Sequence, residues 1–387
     1  VVNSTLSGNW TSATGAGGGV FNNSSDQATI SNSTLSGNSS YDGGGVYNNS
    51  GATLTVSAST VSGNSSTGEY GTGGGIVSHG TLTVLNSTVS GNSASYIGGG
   101  IAVMDGTSSV QNSTLSGNSS KSGGGIYNMK TSTLSNTIIA NSPTGGDCRN
   151  TGTITADHTL IEASGGTACD LTNGVNGNII GVDPLLGSLG NYGGDTQTYP
   201  LLPGSAALDA GQNCLTTDQR GVSRPQPAGG ACDIGAFEGQ GFTLTVNSGD
   251  GQNAAVTTAF ADPLQVTVTA NNPVEPVNGG VVTFTPPASG ASTVLTGSPA
   301  LISGGTAGVT ATANSTAGSY IVSATTTGAS ASVDFALTNT CSSSVTVTTN
   351  ADSGAGSLRQ AIIAVCDGDT IDFAADLAGQ TIHLTTA

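Results

Sequence analysis

Six cysteines begin at Cys148 and continue with Cys169, Cys214, Cys232, Cys341 and Cys366. Their number is even, the intervals between neighbours are wide, and no C-x-x-C occurs, which favours disulfides over a zinc site. Pairing in sequence order joins Cys148 to Cys169, Cys214 to Cys232 and Cys341 to Cys366. Arg220 and Arg224 lie in the most acidic stretch of the chain. One reading is ligand binding. The favoured one is an internal salt bridge from Arg220 to Asp209, Asp218, Asp233 or Glu238, with Asp233 taken as the partner, because a guanidinium fork organises irregular loops. His79, His158 and His383 show no recognisable spacing to a Cys, Asp or Ser and read as surface or turn residues.

The first 142 residues offer only Asp26, Asp42, Glu69 and Asp105 as acids. Hydrolysis or elimination on a polysaccharide needs converging carboxylates, and these four fall at different offsets within the local pattern. They read as solvated turn residues. Neither G-x-S-x-G nor G-x-x-x-x-G-K-[ST] appears, so no acyl-transfer elbow and no phosphate cradle is expected. Asp367-Gly368-Asp369 is a thin candidate for calcium. No catalytic residue, cofactor or metal is expected.

The elements that must position these residues follow from a repeat. Asn3-Ser4-Thr5-Leu6-Ser7-Gly8-Asn9 recurs from Asn32, Ala58, Asn86 and Asn112, with a worn copy at Ser135–Asn141. Glycine triplets interleave with it at Gly17, Gly43, Gly73, Gly98 and Gly123, each followed by Val or Ile. Runs such as Thr53-Leu54-Thr55-Val56 and Thr81-Leu82-Thr83-Val84 alternate polar and aliphatic residues, which is strand periodicity. A period near 26 residues with three short strands per period is a solenoid coil. The closing asparagines, Asn9, Asn38, Asn64, Asn92, Asn118 and Asn141, are expected at corners, each amide bonding the next. Sequons such as Asn32-Ser33-Thr34 and Asn112-Ser113-Thr114 read as ladder residues, not glycosylation sites. Phe21, Tyr47 and Tyr127 share one slot with Val77 and Ala102, and corner packing is favoured over an outward sugar-binding stripe.

Composition agrees. Of 387 residues, 61 are glycine and only 7% are charged. Two lysines and four arginines cannot neutralise a nucleic acid backbone. No apolar run is long enough to span a membrane. The net charge of −17 is concentrated outside the repeat. The start at Val1-Val2-Asn3-Ser4, without an initiator methionine or signal peptide, reads as the interior of something longer.

After the repeat come Val182-Asp183-Pro184-Leu185-Leu186, Asn191-Tyr192-Gly193-Gly194-Asp195, Leu202-Pro203-Gly204-Ser205, Asp218-Gln219-Arg220-Gly221 and Cys232-Asp233-Ile234-Gly235-Ala236-Phe237-Glu238. These motifs resemble the choice-of-anchor Q family of bacterial surface proteins. The resemblance implies a right-handed parallel β-helix with an elaborate C-terminal end, exported to the cell surface. Residues 241–340 alternate like a β-sandwich, with Asp262-Pro263-Leu264 and Pro286-Pro287-Ala288 similar to bacterial Ig-like repeats. Residues 341–387, with Gly356-Ser357-Leu358-Arg359-Gln360-Ala361, resemble the N-terminal cap of the same β-helix family, named for its C-S-L-R-E-A motif. Ser357–Val365 is the one expected helix.

The reading is therefore all-β: coils over 1–142, a disulfide-bearing C-terminal part of the β-helix over 143–240, an Ig-like sandwich over 241–340 and a cap-like segment over 341–387. A cap that follows its coils suggests a non-enzymatic extracellular structural protein whose copies join head to tail in a surface filament. The alternative is a monomeric adhesin that binds glycans or other surfaces.

Overall fold

A computed structural model describes residues 1–12 and 14–385, leaving aside the side chain of Asp367. The chain forms two compact units, one comprising 1–241 with 270–276, the other 242–269 with 277–387.

The first unit is a parallel β-helix. One sheet stacks eight strands, running from Thr5–Ser7 and Thr34–Ser36 through Thr60–Ser62, Thr88–Ser90 and Thr114–Ser116 to Ile138–Ala140, Leu160–Ile161 and Ile179–Ile180. We call it the leucine sheet, since Leu6, Leu35, Val61, Val89 and Leu115 align along its inner face. A second sheet begins at Val20–Asn22, directly after the glycine triplet, and ends at Cys148–Asn150. A third holds the longest strands, Gln27–Ser31 to Thr153–Asp157. All pairings are parallel and coil follows coil in register. The aliphatic side chains turn inward as unbroken rows, Ile30, Val56, Val84, Val110 and Leu134 among them, all fully buried. Such rows are the hydrophobic driving force of the coil, at roughly 25 cal/mol per Å² of apolar surface removed from water.

The middle glycine of each triplet is required by close approach. A Cβ on Gly44 or Gly74 would collide with backbone carbonyls of the next coil. The left-handed corners belong to other residues. The leading asparagines Asn3, Asn32, Asn86, Asn112 and Asn136 hold φ between 43° and 48°, with Ala58 at 46° in the same slot. Asparagine tolerates this region where alanine is strained. The corner role therefore lies with the first asparagine of the repeat and not with the closing one.

Only the first part of 143–240 continues the coils. From residue 182 the chain leaves the solenoid and runs back along its outside, over the leucine sheet. Thr196 reaches Ala58, Gln197 reaches Thr60, Tyr199 reaches Ser90, and Ala236 reaches Thr114. The expected C-terminal end of the helix is thus mostly a lateral flank. Irregular, turn-rich sequence carries no period from which this path could be read.

The second unit contains a four-stranded sheet ordered Phe242–Ser248, Leu264–Ala270, Thr306–Ala313, Thr293–Thr296, and a five-stranded sheet ordered Gln252–Ala255, Val333–Thr340, Gly318–Thr325, Val281–Thr285, Ala300–Leu301. Most pairings are antiparallel. Leu264, Val266, Val282, Phe284, Val322 and Phe335 are buried. In the last segment, Ser342–Val347 pairs in parallel with Val365–Phe373. Between them lies a helix, Leu358–Ala364, capped by Ser357, whose side chain accepts from the Gln360 N–H.

Candidate functional site

Two polar ladders run inside the solenoid. Asn9, Asn38, Asn64, Asn92 and Asn118 form the first. The backbone N–H and the Nδ2 of each donate to the Oδ1 of the next, at 2.9–3.0 Å. The other Nδ2 hydrogen of Asn38, Asn64, Asn92 and Asn118 goes to the carbonyl of Leu6, Leu35, Val61 and Val89. Full pairing is what permits an amide in an apolar interior. Asn141 is not part of this ladder. Leu115 aligns with Ile139 and Ser116 with Ala140, so Asn141 takes the slot of Gly117 and Ser142 takes that of Asn118. Asn141 has φ 56°, like Gly91 at 61° and Gly117 at 70°. Its exposed side chain reaches Ser116. The ladder pattern continues through Asp147, whose buried carboxylate accepts from Ser142 and Ala163; burial raises its pKa against those bonds.

A second ladder joins Asn22 to Asn48 and Asn48 to Ser78, and further along Asn128 to Asn150. Its signal in the sequence is the Asn two residues after the aliphatic that follows each triplet, as in Val20-Phe21-Asn22, Val46-Tyr47-Asn48 and Ile126-Tyr127-Asn128.

The most concentrated chemistry lies in the flank. Arg220 does not pair with Asp233. Its Nε and Nη2 hold the Asp218 carboxylate at 2.8 Å, its Nη1 lies 3.3 Å from Glu275, and its Nη2 donates to the Glu238 carbonyl. The guanidinium lies 3.5 Å from the centre of the Phe237 ring. Arg224 takes Glu238, donating from Nη1 at 2.7 Å, and also donates to the carbonyls of Asp233 and Gly235. Asp233 spends both carboxylate oxygens on backbone N–H groups, those of Asp209 and Gly239. Every side chain in the three ion pairs of Arg220 and Arg224 is at most 1% exposed. Burial and the neighbouring Glu238 raise the Asp233 carboxyl well above its ordinary pKa, and burial raises Glu238 and Glu275. Sealed charges of this kind order the chain around them.

Glu275 falls by sequence within the segment 241–340 that reads as a sandwich. Residues 270–276 instead belong to the first unit, where Gln240 also donates to Glu275. Sequence distance gave no hint of this excursion.

Beneath the cluster the flank is pinned by hydroxyls of the leucine sheet. Gln219 donates to Thr60 and Thr196 and accepts from Thr88 at 2.7 Å. Disulfides join Cys148–Cys169 and Cys214–Cys232 in the first unit, and Cys341–Cys366 in the second. An open cavity of about 540 Å³ is lined by His158, Asp209, Asn213, Arg224 and the Cys214–Cys232 bridge.

On the second sheet, Phe21 and Tyr47 stack at 5.3 Å between ring centres, and His79, just past the strand Ile76–Ser78, lies tilted against Tyr47 at 5.4 Å. The slot is mixed: Val77 and Ala102 are fully buried in it, Tyr47 and Tyr127 are half-buried, and Phe21 is 49% exposed. His79 bonds Asp105 at 2.9 Å, and His158 bonds its neighbour Asp157. The first pair is separated by 26 residues, one coil, which is the spacing that could have revealed it. Asp42 accepts from Thr72 one coil on. His383 is exposed. Of Asp367-Gly368-Asp369, the Asp367 side chain lies outside the described residues. Among the described residues, no three His, Cys, Asp or Glu side chains converge as metal ligands, and no helix is long and apolar enough to cross a membrane.

No family model matches this chain, and no curated protein or solved structure compared with it matches either.

Proposed function

We propose that this chain is a non-enzymatic structural protein of the cell exterior, and that its units join head to tail in a filament. One observation carries the reading. In the segment 341–387, Val345 pairs in parallel with Ile371 and Val347 with Phe373, each across 26 residues. Parallel pairing across that interval is also how the coils of the first unit are built, as at Thr34 and Thr60. The segment is thus one solenoid turn, clipped by Cys341–Cys366, placed after a sandwich that reads as an Ig-like spacer. Its faces carry Ile362 at 56% and Phe373 at 54% exposure. Such surface suits stacking on another β-helix.

In this reading the turn of one unit caps the coils of the next, as separate chains or as successive stretches of one polypeptide. The contact is heterologous and propagates. Three disulfides fit an oxidising compartment, and the resemblance of the flank to choice-of-anchor Q proteins supports export and a right-handed helix. Ile362→Asp with Phe373→Asp tests the contact. Sedimentation velocity is expected to show concentration-dependent association in the native chain and none in the variant. Identical profiles refute the contact.

A second reading, adhesion to glycans, draws on the outward Phe21–Tyr47–His79 stack. Glycan-array binding lost in Tyr47→Ala supports it.

A further inference from the structure

The threonines of the coils meet two different fates. On the leucine sheet, the outward hydroxyls of Thr60, Thr88 and Thr114 are consumed by the flank. On the sheet of long strands the outward positions form two parallel rows. One runs through Thr53, Thr81, Thr107, Thr131 and Thr153 in consecutive coils. The other lies two residues further along each strand, from Thr29 through Thr83 to Thr155, with Ser109 as its one serine. Every one of these side chains is exposed or half-buried. None of their hydroxyls has a hydrogen-bond partner among the described residues. Neither row contains an ionisable side chain, and Asp157 appears only beyond them, at the end of the last strand.

We infer that this face binds ice. Three physical features point to ordered water as the occupant. First, the array is a lattice: neighbouring strands are about 4.8 Å apart, and alternate residues of one strand about 6.6 Å apart. Both spacings are of the size of the oxygen repeats on the prism face of hexagonal ice. Second, the side chains are pre-ordered. A β-branched residue has few χ1 states, and the strands stand on a fully buried aliphatic row, Ile30 to Leu134, so little entropy remains to be lost on adsorption. Third, the chemistry is uniform. Each threonine offers one methyl group, around which water orders, and one hydroxyl that both donates and accepts. A charged row would instead keep its own hydration shell. This inference stands apart from the filament reading, since it concerns one sheet of a single solenoid.

The test is uptake of the fluorescently labelled full chain into a growing ice hemisphere, read beside thermal hysteresis. The native protein is expected to enter the ice and to hold back crystal growth below the melting point. Thr83→Tyr and Thr133→Tyr each place a bulky ring within the array, and each is expected to weaken uptake by about tenfold, equivalent to about 1.4 kcal/mol. Thr5→Tyr, on the leucine sheet, is expected to behave as native. Thermal unfolding monitored by circular dichroism verifies that all three variants fold. Exclusion of the native chain from ice overturns the inference, as does native-like uptake by the two array variants. Retention on crystalline cellulose or chitin without uptake into ice overturns it too, and assigns the face to a polysaccharide.

Discussion

The Nε2 of Gln219 lies 3.1 Å from the hydroxyl of Thr60, 159 residues earlier in the chain. This one amide fastens the returning flank to the outside of the solenoid, because its oxygen also accepts from Thr88 in the following coil. Gln219→Leu leaves buried hydroxyls without their partner, at about 1–3 kcal/mol each way the network is cut. The expected outcome is a lower urea midpoint and early proteolytic nicking between residues 182 and 239. Combined with Thr60→Val, the loss is expected to be less than additive, because both substitutions cut the same network.

Arg220 and Arg224 should respond to neutralisation far more than surface arginines do. Arg220→Met leaves Asp218 and Glu275 as buried carboxylates without a cationic partner, a cost of about 3–5 kcal/mol. Replacement with Lys is not expected to rescue, since an ammonium cannot hold Asp218 from two nitrogens while lying on Phe237. Denaturant unfolding of the purified variants measures both effects. A loss below that of an exposed Lys121→Met control contradicts the structural role.

The buried carboxyls give stability a pH dependence of definite sign. Asp233, Glu238 and Glu275 all have folded-state pKa values raised above their ordinary ones, so the folded chain holds protons that the unfolded chain has released. Stability therefore falls as pH rises from the ordinary carboxyl range, around 4, through the raised values. The urea midpoint is expected to be higher near pH 5 than near pH 8. Relief of the net charge of −17 acts in the same direction, so Asp233→Asn isolates the cluster: its midpoint should change less with pH than the native one.

The two kinds of asparagine separate by substitution. Asn64→Ala removes the acceptor of two Asn38 donors inside the solenoid, and should cost about 1–3 kcal/mol. Asn141→Gly should be neutral or slightly stabilising, because Asn141 stands where the other coils have glycine with positive φ. Ala58→Asn should stabilise by up to about 1 kcal/mol, by placing at a left-handed corner the residue the neighbouring coils use there. Thermal unfolding of the three variants orders them.

The coils are legible in the sequence because periodic burial leaves a periodic trace. Leu6, Leu35 and Val61 align in space as their motifs align on paper. The worn copy misleads for the same reason. Both Asn136 and Asn141 fit an asparagine slot by type, and only the pairing of Leu115 with Ile139 shows which frame is right. The second ladder and the His79–Asp105 contact are also written in the period, but as single residues one coil apart they are easily passed over. The flank is different in kind. Arg220 with Glu275, and Gln219 with Thr60, are contacts between segments that no repeat relates, and their geometry comes from an irregular path that local propensity does not encode.

Head-to-tail assembly requires that the turn at 341–387 join one unit to the next. Negative-stain electron microscopy of the purified chain, with and without residues 341–387, tests it most directly. End-to-end strings are expected of the full chain and discrete particles of the shortened one. Discrete particles in both preparations would contradict it.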